Sequence, residues 1–448
     1  MNNLTDTASS ILEKALKQGA DDADIVIFDS AETSISHRLG KMENIERAES
    51  KGLGLRVLIG QKGGYQQAIV STTDFSEKSL NELVENAVNM AKITPEDKYT
   101  TLAEESLFAK EILNLDLNDK KEPSDLELTE IASKMEDAAR SVKGVTNSEG
   151  AESGFSKSRA SILTSKGFTG EYTNTNYSAS VSVIAGSGEH METDYDYTVA
   201  RHFEDLKEAS GIGRNAGEKS VKKLNPKKVK TSQIPLIFDP RTAKSLLGAF
   251  ASAINGESIA KGTSFLKNSM ETQIFAKDIN IIDDPFIKRA MGSEPFDDEG
   301  VKGSHKKLIK NGYLTSWLLD LRSAQKLGLT TTGNASRGLC SAPHPSHSNL
   351  YMEAGKLSPK ELMSDIKNGI YITELFGMGI NGVTGDYSQG ASGFWIENGE
   401  ILYPVSEFTI ASNLKDMFKN MIAANDLELI FSINSPTLRI DGMTVAGS

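Results

Sequence analysis

The stretch FGMGINGVTGDYSQGASGFWIENGEI, residues 376–401, decides how the C-terminal half of the chain is interpreted. It contains seven glycines and no lysine, and it lacks both the GxxxxGK[ST] phosphate loop and the GxGxxG dinucleotide loop. Glycine supplies positive φ angles and lets backbones approach closely, and Asn398-Gly399 is a strong signal for a two-residue hairpin. These residues favour a run of tight turns and bulges between strands over a nucleotide site.

The composition narrows the class of protein. The 448 residues are enough for two or three domains with a sizeable core. A net charge of −12 argues against a nucleic-acid partner, which would require a basic stripe. No apolar run reaches the roughly 18–20 residues of a membrane helix, the N-terminus has no apolar signal core, and the single Cys340 has no intrachain partner. We therefore expect a cytoplasmic protein without membrane or nucleic-acid contacts.

The first half of the chain shows one order of elements twice. Apolar periodicity predicts helices at 7–18, 76–92, 126–142 and 203–222. Between the first two lie strand-like runs at 22–28, 33–39, 52–59 and 65–71, and between the last two alternating segments fill 148–200. A polar connector, 93–125, separates the two sets. The pattern predicts two similar α+β modules.

The lysine-rich segment VKKLNPKKVK, 221–230, marks the main boundary, and a solvated connection is favoured there over a phosphate or peptide patch. After it come a strand at 233–240 and a helix at 240–254. Beyond residue 270 the sequence is β-rich, with only two more helical pieces, near 320–327 and 358–367. The predicted fold class is α+β, with two helix-flanked mixed α/β modules followed by a β-rich C-terminal domain. The predicted bounds are 1–100, 115–225 and 230–448.

The residues alone indicate no catalytic constellation. Cys340, His344 and His347 have loosely metal-like spacing, but prolines interrupt them and no fourth ligand is evident. The acidic segment PFDDEG, 295–300, favours a solvated turn over a cation site. His190 and His202 are expected at the surface, and His37 and His305 have no evident partners.

A family resemblance emerges from the opening stretch. The run GINGVTGDYSQGASGFWIENGEI, which begins at Gly379, resembles the signature of the TldD/PmbA family, in its PmbA (TldE) branch. Three further segments follow the same pattern: FDDEG at 296–300, GYLTSWLLDLRSAQKLGLTTTGNASRG at 312–338, and PHPSHSNLYMEAG at 343–355. The resemblance extends over nearly the whole chain.

The resemblance also identifies a departure from the family's zinc site. Family members are cytoplasmic zinc peptidases that work as a TldD–TldE pair, and the TldD-type chain carries HExxxH on a helix. In the corresponding segment SLLGAFASAINGES, Gly248 and Ala249 occupy the positions of the first His and the Glu, and Ala253 occupies that of the second His. No cysteine follows Cys340. The resemblance thus implies no metal and no catalytic residue in this chain, with zinc on a TldD-type partner.

The function that the resemblance implies is that of a non-catalytic, peptide-positioning subunit. In a heterodimeric zinc metallopeptidase it would help to process or degrade unfolded or modified peptides. The residues expected to face the peptide are Asn349, Thr384, Gly385, Asp386, Ser388 and Gln389. Two alternatives remain: an independent enzyme using Cys340 with His344 or His347, and a peptide-binding scaffold or homo-oligomer without catalysis. The isolated chain is a possible homodimer.

Overall fold

A computed structural model describes residues 4–377 and 379–447 of the chain. The first module consists of α1 (Leu4–Lys17), β1 (Asp22–Arg38), β2 (Lys41–Gln61), β3 (Gly64–Thr72) and α2 (Glu77–Ala91). The second consists of α3 (Asp125–Arg140), β4 (Val145–Thr164), β5 (Thr169–Ala185), β6 (Glu192–Ala200) and α4 (Ala209–Lys222). Short 3₁₀ turns lie at Glu105–Leu107, Gly188–His190 and Phe203–Asp205.

The two modules share one antiparallel sheet with the strand order β3-β2-β1-β4-β5-β6. The pairing of β1 with β4 joins them. Helices α1 and α2 cover β1–β3 through one apolar cluster, and α3 and α4 cover β4 and β5 through another. The runs at 22–28 and 33–39 form a single strand, contrary to expectation. The polar residues between them are paired on both sides, to β2 and to β4, and this ladder overrides their low local strand propensity.

The C-terminal domain is built from many short elements. Its helices are α5 (Pro240–Ala253), α6 (Gly256–Lys261), α7 (Leu321–Leu327), α8 (Pro359–Met363) and α9 (Leu414–Lys419). Its strands are β7 (Ser232–Phe238), β8 (Ile281–Asp283), β9 (Lys306–Lys310), β10 (Tyr313–Leu314), β11 (Ala335–Ser336), β12 (His344–Pro345), β13 (Leu350–Met352), β14 (Asn368–Phe376), β15 (Asp386–Glu397), β16 (Glu400–Asn413), β17 (Met421–Ala423), β18 (Ile433–Asn434) and β19 (Leu438–Ala446). The architecture is α+β, as the sequence predicted.

A small barrel organises this domain. Strand β16 pairs with both β15 and β19, so that β7, β14, β15, β16 and β19 close on themselves. Helix α5 packs into the same core through Leu246, Leu247 and Phe250. The expectation of only two helical pieces beyond residue 270 was wrong, because α9 also forms. Helices α6 and α9 each have six residues, too few for an apolar stripe, and each begins at a side-chain cap, Asn255 or Asn413.

The glycine-rich stretch is a hairpin with a folded tip, as the turn interpretation predicted. Asn398 and Gly399 both have positive φ angles, 50° and 81°, and form a two-residue turn between paired Glu397 and Glu400. At the other end of β15, the backbone N–H of Ser388 donates to Gly379 O at 2.7 Å. A Cβ on Gly379 would lie 1.3 Å from the Ser388 carbonyl oxygen, so this approach requires glycine.

The sheet and the C-terminal domain meet through a further apolar layer, which contains residues of β1 and β4 and of the segment 296–301. Phe168 packs there between Phe108 and Phe296 in tilted and edge-to-face contacts, with centroid separations of 5.1–5.2 Å. Leu339 lies directly on β2, where a Cβ on Gly54 would come within 2.2 Å of its carbonyl oxygen. Glycine at this position therefore permits close contact between the two halves. Across the described part of the chain, no helix combines the length and apolar character needed to cross a membrane.

Candidate functional site

The three positions of α5 that the sequence resemblance assigns to a zinc motif carry no metal-ligating side chains. Gly248 and Ala249 are half-buried and Ala253 is buried, and none of the three offers a side-chain nitrogen, oxygen or sulfur. A Cβ built on Gly248 would meet only Ile433 Cδ1, at 3.8 Å. Within residues 4–377 and 379–447, no group of three or more His, Cys, Asp or Glu side chains could hold a metal ion. These residues do not fit a zinc ion. Whether the protein carries zinc in solution stays a prediction.

Cys340, His344 and His347 do not converge on a shared centre. Cys340 is exposed, and its Sγ lies 2.8 Å from Ser71 Oγ. His347 Nδ1 lies 2.9 Å from the carbonyl oxygen of the adjacent Ser348. His344 is exposed on β12. The geometry therefore gives no support to a Cys–His nucleophile pair.

The acidic segment 295–300 is buried, so the expectation of a solvated turn was wrong. The Asp297 carboxylate accepts backbone N–H bonds from Glu299, Val301 and Ala335 at 2.8–3.0 Å. Burial raises the pKa of Asp297 to about 7 even though these N–H bonds favour the charged form. Burial likewise raises the pKa of Glu299. The segment is an internal anchor for the loop before β11.

Two histidines also differ from expectation. His202, expected at the surface, is buried, and its Nε2 lies 2.9 Å from the carbonyl oxygen of Asp116. His37, for which the sequence offered no partner, pairs with the buried Glu136 at 3.0 Å. Glu136 also accepts the backbone N–H of Gly40 in the turn after β1. Both histidines have structural roles within the modules.

A groove runs along the free edge of β6, between the second module and the C-terminal domain. Its two parts have volumes of about 270 and 420 Å³. They are adjacent, because both are lined by Tyr197, Lys207, Glu428 and Ile430. The first part lies over the beginning of α5, at Arg241 and Lys244. At Lys244 the groove thus ends one helical turn before Gly248, on the same helix.

The backbone of β6 faces this groove. The carbonyl oxygen of Thr193 accepts Lys223 Nζ at 3.0 Å, and that of Tyr195 accepts Arg241 Nη1 at 3.4 Å. Peptide groups alternate in direction along a strand, so Tyr197 and Val199 present their N–H and C=O groups to the same edge. An unpaired strand edge can receive an extended chain as an added strand. The open part of β6 therefore suits an unfolded peptide.

An ion cluster fixes the width of the groove at its α5 end. The buried Asp194 of β6 contacts Lys223 Nζ at 2.9 Å and Arg241 Nη1 at 3.0 Å, and Lys223 also contacts Glu374 of β14. Burial alone would raise the pKa of Asp194, but Arg241 and Lys223 outweigh it and lower that pKa. Lys223 is buried, so the lysine-rich hinge is not wholly solvated. The cluster holds β6 against the C-terminal domain.

The six residues expected to face a peptide lie elsewhere, and none lines the groove among the described residues. Asn349 is buried, and its amide donates to Ser293 Oγ and to the carbonyl oxygen of Asp284. The other five lie together at the tip of the β14–β15 hairpin: Thr384, Gly385, Asp386, Ser388 and Gln389. Gly385 is buried, and Thr384 donates its hydroxyl to Asp386. A peptide-facing role for the exposed members stays a prediction.

The sequence did not predict the groove, because the groove depends on the order of the strands in the sheet. The segment ETDYDYTVA, 192–200, alternates in polarity like any strand. Nothing in it shows that β6 ends the sheet or that residues 287–291 and 428–430 form the opposite wall. The basic side chains near it, Arg241 and Lys244, resemble ordinary residues of a helix start.

Comparison with known proteins places these features in a family. Family models for the PmbA/TldA metallopeptidase match in three parts: domain 1 at 23–91, the central domain at 118–224 and the C-terminal domain at 231–447. A Haemophilus influenzae protein described as a metalloprotease PmbA homolog is 36% identical over 99% of this chain and 96% of its own length. Metalloprotease PmbA of Escherichia coli O157:H7 is 35% identical, with the same coverage. A crystal structure from Bacteroides thetaiotaomicron, of a candidate modulator of DNA gyrase, superposes with a TM-score of 0.91 at 28% identity, covering both chains fully.

Proposed function

The chain belongs to the PmbA/TldD family of metallopeptidases, and from this we propose that it positions peptides for a partner chain that carries the catalytic zinc. The proposal rests on two features of α5 and its surroundings. Its motif face has no donor at Gly248, Ala249 or Ala253, yet the groove beside it is formed and bordered by an open strand edge. If a peptide bound by such a chain is to be cleaved by zinc chemistry, the metal has to come from a partner chain.

The chemistry assigned to the partner is that of zinc peptidases, in which the metal activates a water molecule and polarises the scissile carbonyl. This chain would hold the peptide extended along Tyr197 and Val199 of β6. Backbone pairing of that kind is tolerant of sequence, which suits processing of unfolded or modified peptides in the cytoplasm. A peptide-binding scaffold or homo-oligomer without catalysis is the second candidate, since the groove alone requires no cleavage.

The test is reconstitution with a TldD-type chain. We expect the purified chain to hold no stoichiometric zinc and to leave an unfolded peptide intact. The mixture should cleave the peptide faster than the partner alone and should elute as one complex with about one zinc per pair. Zinc is measured by atomic absorption and cleavage by mass spectrometry. Cleavage by the partner at the same rate with and without this chain would favour the scaffold.

Removing one backbone N–H of β6, that of Val199, tests whether the groove binds the peptide. Val199→Pro removes an N–H that faces away from β5 and is therefore tolerated on an edge strand, whereas Val199→Thr keeps that N–H. Loss of one hydrogen bond to the peptide, about 1–1.5 kcal/mol, should slow cleavage by the pair roughly tenfold in the Pro variant. The Thr variant should stay within about twofold. Circular dichroism and complex formation check that both variants fold. Equal rates for the two variants would remove β6 from peptide binding.

A further inference from the structure

The charges that line the groove are mainly positive. Seven basic side chains line it: Arg201, Lys207, Lys219, Arg241, Lys244, Lys288 and Arg289. Five acidic side chains accompany them: Asp196, Asp205, Asp239, Asp426 and Glu428. The chain as a whole has a net charge of −12. The lining has two more cations than acids, but Arg241 and Arg289 also pair with Asp194, Asp116 and Glu204 outside the lining. Positive charge is therefore available to an anionic ligand at the cations that have no acidic partner.

The acidic side chains of the groove are already engaged. Asp196 pairs with Lys219 at 3.1 Å, Glu428 with Lys207 at 2.9 Å, Asp205 with Arg289 at 3.0 Å, and Asp239 with Arg241 at 3.5 Å. Asp426 accepts the backbone N–H and the hydroxyl of Thr437. Within residues 4–377 and 379–447, the groove cations without an acidic partner are Arg201, Lys244 and the exposed Lys288.

Of these three unpaired cations, Lys244 lies on α5 itself, one helical turn before Gly248. Its Nζ lies 4.0 Å from the ring centroid of Phe431, and Phe431 packs on Tyr197 at 5.2 Å. Among the described residues, no carboxylate lies within ion-pair distance of this Nζ. Burial lowers the pKa of Lys244, and the nearby positive charge of Arg241 lowers it further. The ammonium is thus partly dehydrated, held on an aromatic ring and without a counterion.

Arg201 adds positive charge at the other end of the groove. It is 8% exposed, and it donates to Asn174 Oδ1 at 2.9 Å and to the carbonyl oxygen of Met291 at 2.6 Å. Its Nε has no hydrogen-bond partner, and none of its partners is an acid. Since a strand rises about 3.3 Å per residue, Arg201 lies about 13 Å along β6 from Tyr197. Its buried charge contributes potential along the groove.

We propose that the groove selects peptide segments that carry a carboxylate, and that Lys244 binds this carboxylate beside Tyr197 at the α5 end. The inference rests on the proposed function, namely that the groove holds an extended peptide. A carboxylate at Lys244 would supply the missing counterion and accept a charge-assisted hydrogen bond from Nζ. The carboxylate comes from an Asp or Glu side chain or from the C-terminus of the peptide, and the two sources share the same chemistry.

The experiment measures the affinity of the full-length chain for three ten-residue peptides by isothermal titration calorimetry. The peptides are unstructured, rich in Gly, Ser and Thr. The first has a central Glu and an amidated C-terminus, the second has Gln and an amidated C-terminus, and the third has Gln and a free C-terminus. They are titrated into wild-type protein, Lys244→Met, Lys244→Arg and Lys277→Met. Lys277 is exposed and lies outside the groove, so its variant matches the loss of one charge.

We expect wild-type protein and Lys277→Met to bind one of the two carboxylate peptides about tenfold more tightly than the neutral one. The preference should fall below about twofold in Lys244→Met and return in Lys244→Arg. The identity of the preferred peptide, Glu or free C-terminus, names the source. Equal affinities for all three peptides would overturn the carboxylate site while leaving peptide binding in place. The same preference in Lys244→Met would overturn the role of Lys244. No binding of any peptide would overturn both this inference and the peptide-positioning function.

Discussion

The six-stranded sheet meets the C-terminal domain along two contact regions, here called seams, which differ in whether their charged side chains are paired. At the first, Asp24 of β1 is buried between Arg56 of β2 and Arg337, with Nε of Arg56 at 2.9 Å and Nη1 of Arg337 at 2.5 Å. At the second, the groove along β6 leaves Lys244 without a counterion. The first seam encloses its charges between packed layers, whereas the second keeps cations next to a free strand edge. The first seam holds the two halves together through enclosed charges, whereas the second does so only at the Asp194 cluster and leaves Lys244 for the carboxylate that we propose.

The first seam should be the more sensitive to mutation. Asp24→Asn keeps the shape of the side chain but leaves two buried guanidinium groups without their shared anion. We expect it to lower the free energy of unfolding by about 3–5 kcal/mol, as removal of one partner of a buried ion pair does. Urea denaturation followed by circular dichroism measures the change.

The matched control for this variant lies on the same strand. Asp29 of β1 pairs with Arg159 at 2.9 Å, but its side chain is 39% exposed. Asp29→Asn should cost no more than about 1 kcal/mol. Similar losses for Asp24→Asn and Asp29→Asn would mean that the first seam contributes no more than a surface pair, and the contrast between the seams would be lost.

The first seam also predicts a dependence on pH. Asp297 lies beside Phe296 in the apolar layer, and its folded-state pKa of about 7 is above the ordinary value of 3.8. A carboxyl group whose pKa is raised on folding stabilises the protein at low pH, and this contribution is lost as the pH rises through 7. Between pH 5 and pH 7, wild-type protein should lose about 1–2 kcal/mol more stability than Asp297→Asn.

Urea denaturation at several pH values measures this slope. Asp278→Asn, which changes an exposed carboxylate in the same domain, should keep the wild-type slope. The Asn variant retains Glu299, whose pKa is raised by burial and by the charge of Asp297, so the difference between variants reports Asp297 together with its effect on Glu299. Parallel slopes for wild type and Asp297→Asn would show that Asp297 is ionised in the folded protein at pH 5.

The sequence predicted features that depend on local chemistry. Apolar stripes located α1 to α5, and the Asn398-Gly399 turn was found. Each of these depends on residues within about one or two turns of chain. The α+β class followed from the order of such elements.

Long-range pairing decided the features that were missed. The 17-residue β1 forms because its polar middle pairs on both sides, and Phe296, next to Asp297, is buried against side chains of the distant sheet. His202 meets Asp116 across 86 residues of sequence. The groove follows from β6 being the last strand of its sheet and from walls contributed by residues near 290 and 430. None of these contacts leaves a local sequence pattern.

The smallest predicted effect concerns Lys244 at the second seam. It tests whether this side chain contributes little to the free energy of unfolding, as expected of a residue that serves a ligand. Lys244→Met removes a partly dehydrated cation and its repulsion by Arg241, while the thioether can still contact the Phe431 ring. We expect the free energy of unfolding to change by no more than about 0.5 kcal/mol, with any gain in favour of the variant. Urea denaturation without peptide measures it, and Asp24→Asn in the same series sets the scale. A loss of 2 kcal/mol or more, on the order of a buried polar contact, would place Lys244 among the residues that hold the fold together. The two seams would then differ in exposure alone.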